Sequence, residues 1–112
     1  IQEEETTGRN SECNGSILNG GTCESVGYGC NNVTVNEGGE CKAGYSSCKG
    51  ATLNNGGICE ASAHYSCVNI TVNDGGRCIA KAGSSSLCTG TYNGTGCCEG
   101  DGCPASAPKC QD

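Results

Sequence analysis

The chain has 112 residues, with twelve Asp and Glu against six Lys and Arg, thirteen Cys, four Tyr and no Phe, Trp or Met. The net charge of −6 and the scatter of cations at Arg9, Lys42, Lys49, Arg77, Lys81 and Lys109 exclude a basic patch that could follow a nucleic-acid backbone or insert into an anionic membrane. Thirteen Ile, Leu and Val make too thin a core to offset roughly 1–2 kcal/mol of backbone entropy per ordered residue, so the cysteines are the compensating device, at roughly 2–4 kcal/mol per bridge.

Residues 1–12 form a polar arm. Glu3-Glu4-Glu5 and Thr6-Thr7 give it no hydrophobic face, which predicts a mobile terminus or one that orders against a neighbouring subunit. Residues 13–77 are a tandem array. SILNGGTC, VTVNEGGEC, ATLNNGGIC and ITVNDGGRC close on Cys23, Cys41, Cys59 and Cys78, spaced 18, 18 and 19 residues apart, and Cys13, Cys30, Cys48, Cys67 and Cys88 run in step.

Each copy predicts a short strand followed by a tight turn. In Val68-Asn69-Ile70-Thr71-Val72 apolar and polar residues alternate, placing Val68, Ile70 and Val72 on one face and Asn69 and Thr71 on the other. Asn73-Asp74-Gly75-Gly76 supplies residues that tolerate positive φ, and the same chemistry recurs at Asn36 and Asn54. The expected fold is all-β and disulfide-rich, in one of two architectures. Either disulfide-closed hairpins pack side by side, or each period is one coil of a β-solenoid. In the solenoid Val35, Leu53 and Val72 would stack in an inward column and Asn36, Asn54 and Asn73 in a turn column.

From residue 78 to 112 the rhythm changes to Cys78-x9-Cys88-x8-Cys97-Cys98-x4-Cys103-x6-Cys110. Six cysteines with the third and fourth adjacent resemble the inhibitor cystine knot family. That resemblance implies pairing of Cys78 with Cys98, Cys88 with Cys103 and Cys97 with Cys110, although spacing alone leaves fifteen connectivities open. In composition and layout the whole chain is similar to the small secreted cysteine-rich proteins of fungi and other eukaryotic microbes.

Disulfides persist in oxidising surroundings, so the protein is expected to be secreted and extracellular. A start at Ile1 without a charged-then-apolar leader is as expected once a signal peptide has been removed. Four N-glycosylation triplets begin at Asn14, Asn32, Asn69 and Asn93, and Asn32 and Asn69 hold equivalent repeat positions on the predicted solvent face.

Sequences for catalysis are missing. His64, the single histidine, has neither a Cys-His nor a Ser-His-Asp context, and no nucleophile elbow, phosphate-binding loop or Cys-x-x-Cys occurs. Neither a cofactor nor a metal is expected, and Asp74, Glu99 and Asp101 read as solvated turn residues. Tyr28, Tyr45 and Tyr65 recur at similar places, where they would either cover the neighbouring disulfide or present a row of rings to a glycan or protein partner. An odd number of cysteines leaves one unpaired within the chain, and Cys13, which opens the array, is the candidate for a free thiol or an intermolecular bridge. The expected function is non-enzymatic. It is a structural, self-assembling protein of an extracellular surface, wall or filament, or alternatively a secreted effector, inhibitor or lectin-like module.

Overall fold

A computed structural model describes residues 7–81 and 86–110, with side chains from 13 onward and at 11. Among the described residues eleven short strands build two parallel sheets. One contains β1 (Thr7–Arg9), β3 (Thr22–Gly27), β5 (Glu40–Tyr45), β7 (Ile58–Ala61), β9 (Arg77–Ala80) and β11 (Cys97–Glu99), in that spatial order. The other runs β2 (Ile17–Leu18), β4 (Thr34–Val35), β6 (Thr52–Leu53), β8 (Ile70–Val72) and β10 (Gly90–Tyr92). Every pairing is parallel and joins strands about one repeat apart.

The chain is therefore a β-solenoid, and the hairpin alternative is excluded. A hairpin turn returns the chain antiparallel to the strand it leaves. Here each Asn-x-Gly-Gly corner instead carries the chain from one sheet to the other. Near-constant loop lengths then lay each coil on the one before. The predicted inward column holds: Leu18, Val35, Leu53 and Val72 are in register and fully buried.

The two glycines of each corner do different work. Gly38, Gly56 and Gly75 have positive φ and make the reversal. The second glycine is needed for close approach: a Cβ on Gly76 would lie 2.6 Å from the Leu53 carbonyl oxygen of the preceding coil, and one on Gly57 would strike the Val35 carbonyl.

Before each corner an asparagine points at its equivalent on the neighbouring coil. The Nδ2 groups of Asn36, Asn54, Asn73 and Asn93 donate to the Oδ1 atoms of Asn19, Asn36, Asn54 and Asn73, at 2.7, 2.8, 2.9 and 3.0 Å. All four bonds run in one direction, an arrangement in which each amide polarises the next.

Sulfur fills the space that aliphatic side chains leave. Cys23, Cys41, Cys59, Cys78 and Cys98 occupy successive rungs of the first sheet, all buried. The disulfides Cys41–Cys48, Cys59–Cys67 and Cys78–Cys88 each cross the interior of one coil to the opposite corner. That corner is built from left-handed residues at every second position: Tyr28, Cys30 and Asn32; Ser46, Cys48 and Gly50; Tyr65, Cys67 and Asn69. Left-handed backbone is unfavourable away from glycine and persists where surroundings over-determine it. Disulfides at Cys48 and Cys67, the middle residues of the second and third triplets, supply that constraint there.

The array runs on beyond residue 77, since β9, β10 and β11 continue both sheets. This corrects the knot. Cys78 pairs with Cys88 and Cys98 with Cys103, and only Cys97–Cys110 matches the connectivity implied by the resemblance. The reason is strand geometry: Cys78 and Cys98 are register partners on neighbouring strands, each directed inward to a partner of its own. Adjacent residues on a strand face opposite sides, so Cys98 enters the core column while Cys97 turns outward to Cys110. A bridge from Cys98 to Lys109 lays the last segment along the edge of β11.

The arm is partly structured as well. Thr7–Arg9 pairs in parallel with Thr22–Glu24, so the expectation of a mobile terminus fails there, and the rest of that expectation, on residues 1–6, lies outside the described residues.

Candidate functional site

The corner that carries the second cysteine column also brings the predicted tyrosines together. Tyr28 and Tyr65 occupy left-handed positions two residues before their cysteines, whereas Tyr45 ends β5 three residues before Cys48. Their rings still meet edge to face, with centroids 5.4 Å apart for Tyr28 and Tyr45 and 5.9 Å for Tyr45 and Tyr65, at interplanar angles of 77° and 85°. Edge-to-face contact sets the positive rim of one ring against the negative face of the next. The row remains open to solvent, with residue exposures of 69%, 41% and 47% in chain order. Val26, 84% exposed, extends the apolar surface on the same side of β3.

Around that row lie Glu24, Lys42 and Glu60, consecutive register partners of alternating charge on the outer face of the first sheet. Lys81 reaches Glu60 at 4.0 Å. A shallow depression bounded by Val26, Tyr45, Ala63 and these charges adjoins the tyrosines. His64 is exposed, its ring 6.2 Å from that of Tyr65. Asp74, Glu99 and Asp101 do not form a cluster: Glu99 pairs with Arg77 at 3.0 Å, and the Asp74 carboxylate accepts from the Thr95 backbone.

The glycosylation triplets fall into two settings. Asn32 and Asn69 are exposed, left-handed and lie on either side of Gly50 along one corner. Asn93 is exposed too, but its Nδ2, the atom that would carry a glycan, donates to Asn73. Asn14 accepts the Asn31 N–H through Oδ1, which leaves its Nδ2 uncommitted by that contact.

Cys13 is buried at 2% exposure, in the core beside Cys23. Cys23 stands in bridging geometry to both Cys13 and Cys30. A sulfur forms one disulfide at a time, so in any one molecule Cys23 bonds to Cys13 or to Cys30 but not to both. Sulfur triads also recur at Cys30, Cys41 and Cys48 and at Cys48, Cys59 and Cys67. Disulfide sulfur lacks the thiolate that a metal site requires, so the stacking of bridges accounts for these groupings.

Two features escaped the sequence reading. Tyr92 takes the inward position of the last coil, in register with Val72, and its hydroxyl donates to the Cys88 carbonyl at 2.5 Å. Burial pushes its pKa up to about 12. Its absence from the spacing shared by the other three tyrosines was the available signal. Buried Ser25 and Ser47 were also missed; their hydroxyls meet at 2.9 Å, and Ser25 accepts the Gly29 N–H. No helix among the described residues is long and apolar enough to cross a membrane. Neither a protein-family model, nor a curated protein, nor a solved structure matches this chain.

Proposed function

We propose that this chain is a secreted, non-enzymatic binding protein, N-glycosylated at Asn32 and Asn69, which engages a glycan through Tyr28, Tyr45 and Tyr65. The disulfide content is typical of extracellular proteins. The observation that carries the reading is the tyrosine row itself: three solvent-facing rings, each in edge-to-face contact with the next, along one corner of the solenoid.

Tyrosine offers an apolar face for a sugar ring and a hydroxyl for its polar rim, at low conformational cost. Tyr28 and Tyr65 stand two coils apart, about 9.6 Å at the spacing of a parallel sheet, so the row suits an extended saccharide of several units better than a single ring. Tyr28→Ala, Tyr45→Ala and Tyr65→Ala combined should abolish glycan-array binding while leaving the disulfide map intact. Undiminished binding by a folded triple variant removes the proposal.

A second reading, a structural subunit of an extracellular surface, wall or filament, is favoured by the edges of the five-stranded sheet. Among the described residues β2 and β10 each pair on one side only. A parallel strand added there would join subunits head to tail, the contact type that yields open filaments. The strand bridge at Lys109 and the Cys97–Cys110 disulfide cover the neighbouring edge of the first sheet and weigh against such growth. Light scattering under native, non-reducing conditions separates the two readings: a mass of one chain across the accessible concentration range excludes assembly.

A further inference from the structure

The three sulfurs of Cys13, Cys23 and Cys30 all lie within 4.8 Å of one another, buried. The Cα separations are 6.2 Å for Cys13 and Cys23 and 6.1 Å for Cys23 and Cys30, and both fall within the range that a disulfide spans without moving the backbone. In the next three coils the equivalent of Cys23 has a single partner, at Cys48, Cys67 or Cys88. The first coil alone has two.

We propose that Cys13, Cys23 and Cys30 form an internal thiol–disulfide exchange site, in which the one odd thiol of the chain passes between Cys13 and Cys30 while Cys23 stays bonded throughout. The Cys13 thiolate attacks Cys23 Sγ. The Cys13–Cys23 bond forms as the Cys23–Cys30 bond breaks, and Cys30 leaves as the thiolate, taking up the proton that Cys13 gave up. One disulfide and one thiol are present before and after, so no oxidant or reductant is needed.

The two bridges close loops of sequence separation 10 and 7, and loop entropy grows only with the logarithm of length, so loop closure favours neither strongly. What differs is the element that is tied down. The Cys23–Cys30 isomer fixes the left-handed corner that carries Tyr28 and Asn32. The Cys13–Cys23 isomer releases that corner from its covalent tie and instead staples the 3-10 turn Asn10–Cys13, with β1 before it, to β3.

The site also opens onto the rest of the column. A thiol on Cys30 faces the Cys41–Cys48 bridge, with the three sulfurs within 4.8 Å, and Cys48 stands likewise to Cys59 and Cys67. Attack of the Cys30 thiolate on Cys41 Sγ forms Cys30–Cys41 as Cys41–Cys48 breaks and Cys48 leaves as the thiolate, and attack of Cys48 on Cys59 Sγ releases Cys67 in the same way.

The test is thiol mapping on the full chain, incubated at mildly alkaline pH and then alkylated with N-ethylmaleimide in acidic guanidinium chloride, where exchange is quenched. The expected result is one label per chain, divided between Cys13 and Cys30, with or without minor label on Cys48 and Cys67. Label on Cys13 alone or on Cys30 alone, label on any cysteine outside that series, no label, or a disulfide-linked dimer overturns the proposal. Cys13→Ser and Cys30→Ser should each give a single isomer with no alkylatable thiol; if either fails to fold, the map of the unsubstituted chain still decides.

Discussion

Replacing the middle asparagine of the ladder tests whether coil-to-coil bonding, and not the cystines alone, holds the solenoid together. Asn54→Ala removes the bond donated to Asn36 and the bond accepted from Asn73, at 2.8 and 2.9 Å, in a half-buried row. At a net worth of about 1 kcal/mol per bond the loss is about 2 kcal/mol. For a chain of this size that corresponds to a fall in Tm of about 6–10 °C. Asn19→Ala and Asn93→Ala, at the ladder ends, each remove one such bond and should cost about half as much. Asn54→Asp keeps the shape but, when ionised, sets an acceptor against the Asn36 oxygen, so its deficit should shrink at acid pH, where a protonated carboxyl can donate again. Scanning calorimetry with the disulfides intact measures all four variants. If the middle substitution costs no more than the end ones, the ladder is ornamental and the reasoning fails.

Three further outcomes follow from single contacts. Spectroscopic titration should show one of the four tyrosines ionising only near pH 12, and Tyr92→Phe should delete that late step. Because the Tyr92 pKa is raised above its unfolded value of about 10, the unfolded chain loses this proton first, and stability should fall as pH rises from about 10 towards 12. Gly57→Ala drives a Cβ into the Val35 carbonyl and should cost about 1–3 kcal/mol, more than Gly38→Ala, whose Cβ meets only Gly20 at 3.3 Å and whose penalty is about 1 kcal/mol of left-handed strain; urea unfolding ranks the two. Intact-mass and glycopeptide analysis should find Asn32 and Asn69 more fully glycosylated than Asn93, whose amide nitrogen is engaged in the ladder; the reverse order would show that ladder bonding does not govern occupancy.

Period, strand phase and corner chemistry were legible in the sequence because each is local. Val35, Leu53 and Val72 announce their column by alternation, and Asn36, Asn54 and Asn73 theirs by recurrence. Connectivity was not local. Whether Cys98 belongs to a knot or to the core column depends on β11 being a rung on β9, and adjacent cysteines look the same in either case. The left-handed corners were hidden for a related reason. Cys48, Tyr65 and Cys67 are not residues that choose such backbone on their own, and it is the bridges across their coils that hold those corners there. The tyrosine row was visible as a spacing, but its exposure and edge-to-face contacts appear only once the coils are stacked.

The three bridges Cys41–Cys48, Cys59–Cys67 and Cys78–Cys88 each begin and end in the same coil. Covalent chemistry therefore stiffens each turn crosswise, while cohesion along the axis is left to hydrogen bonds and packing. Copy number is thus uncoupled from oxidative folding. Excising residues 42–59 would join Cys41 directly to Glu60, remove Cys48 and Cys59 together, and leave Cys41 to close with Cys67 across an equivalent span. A gene encoding this array can lengthen or shorten by whole turns without reassigning any other cystine, which makes the molecule an adjustable ruler whose displayed rows scale with the number of turns.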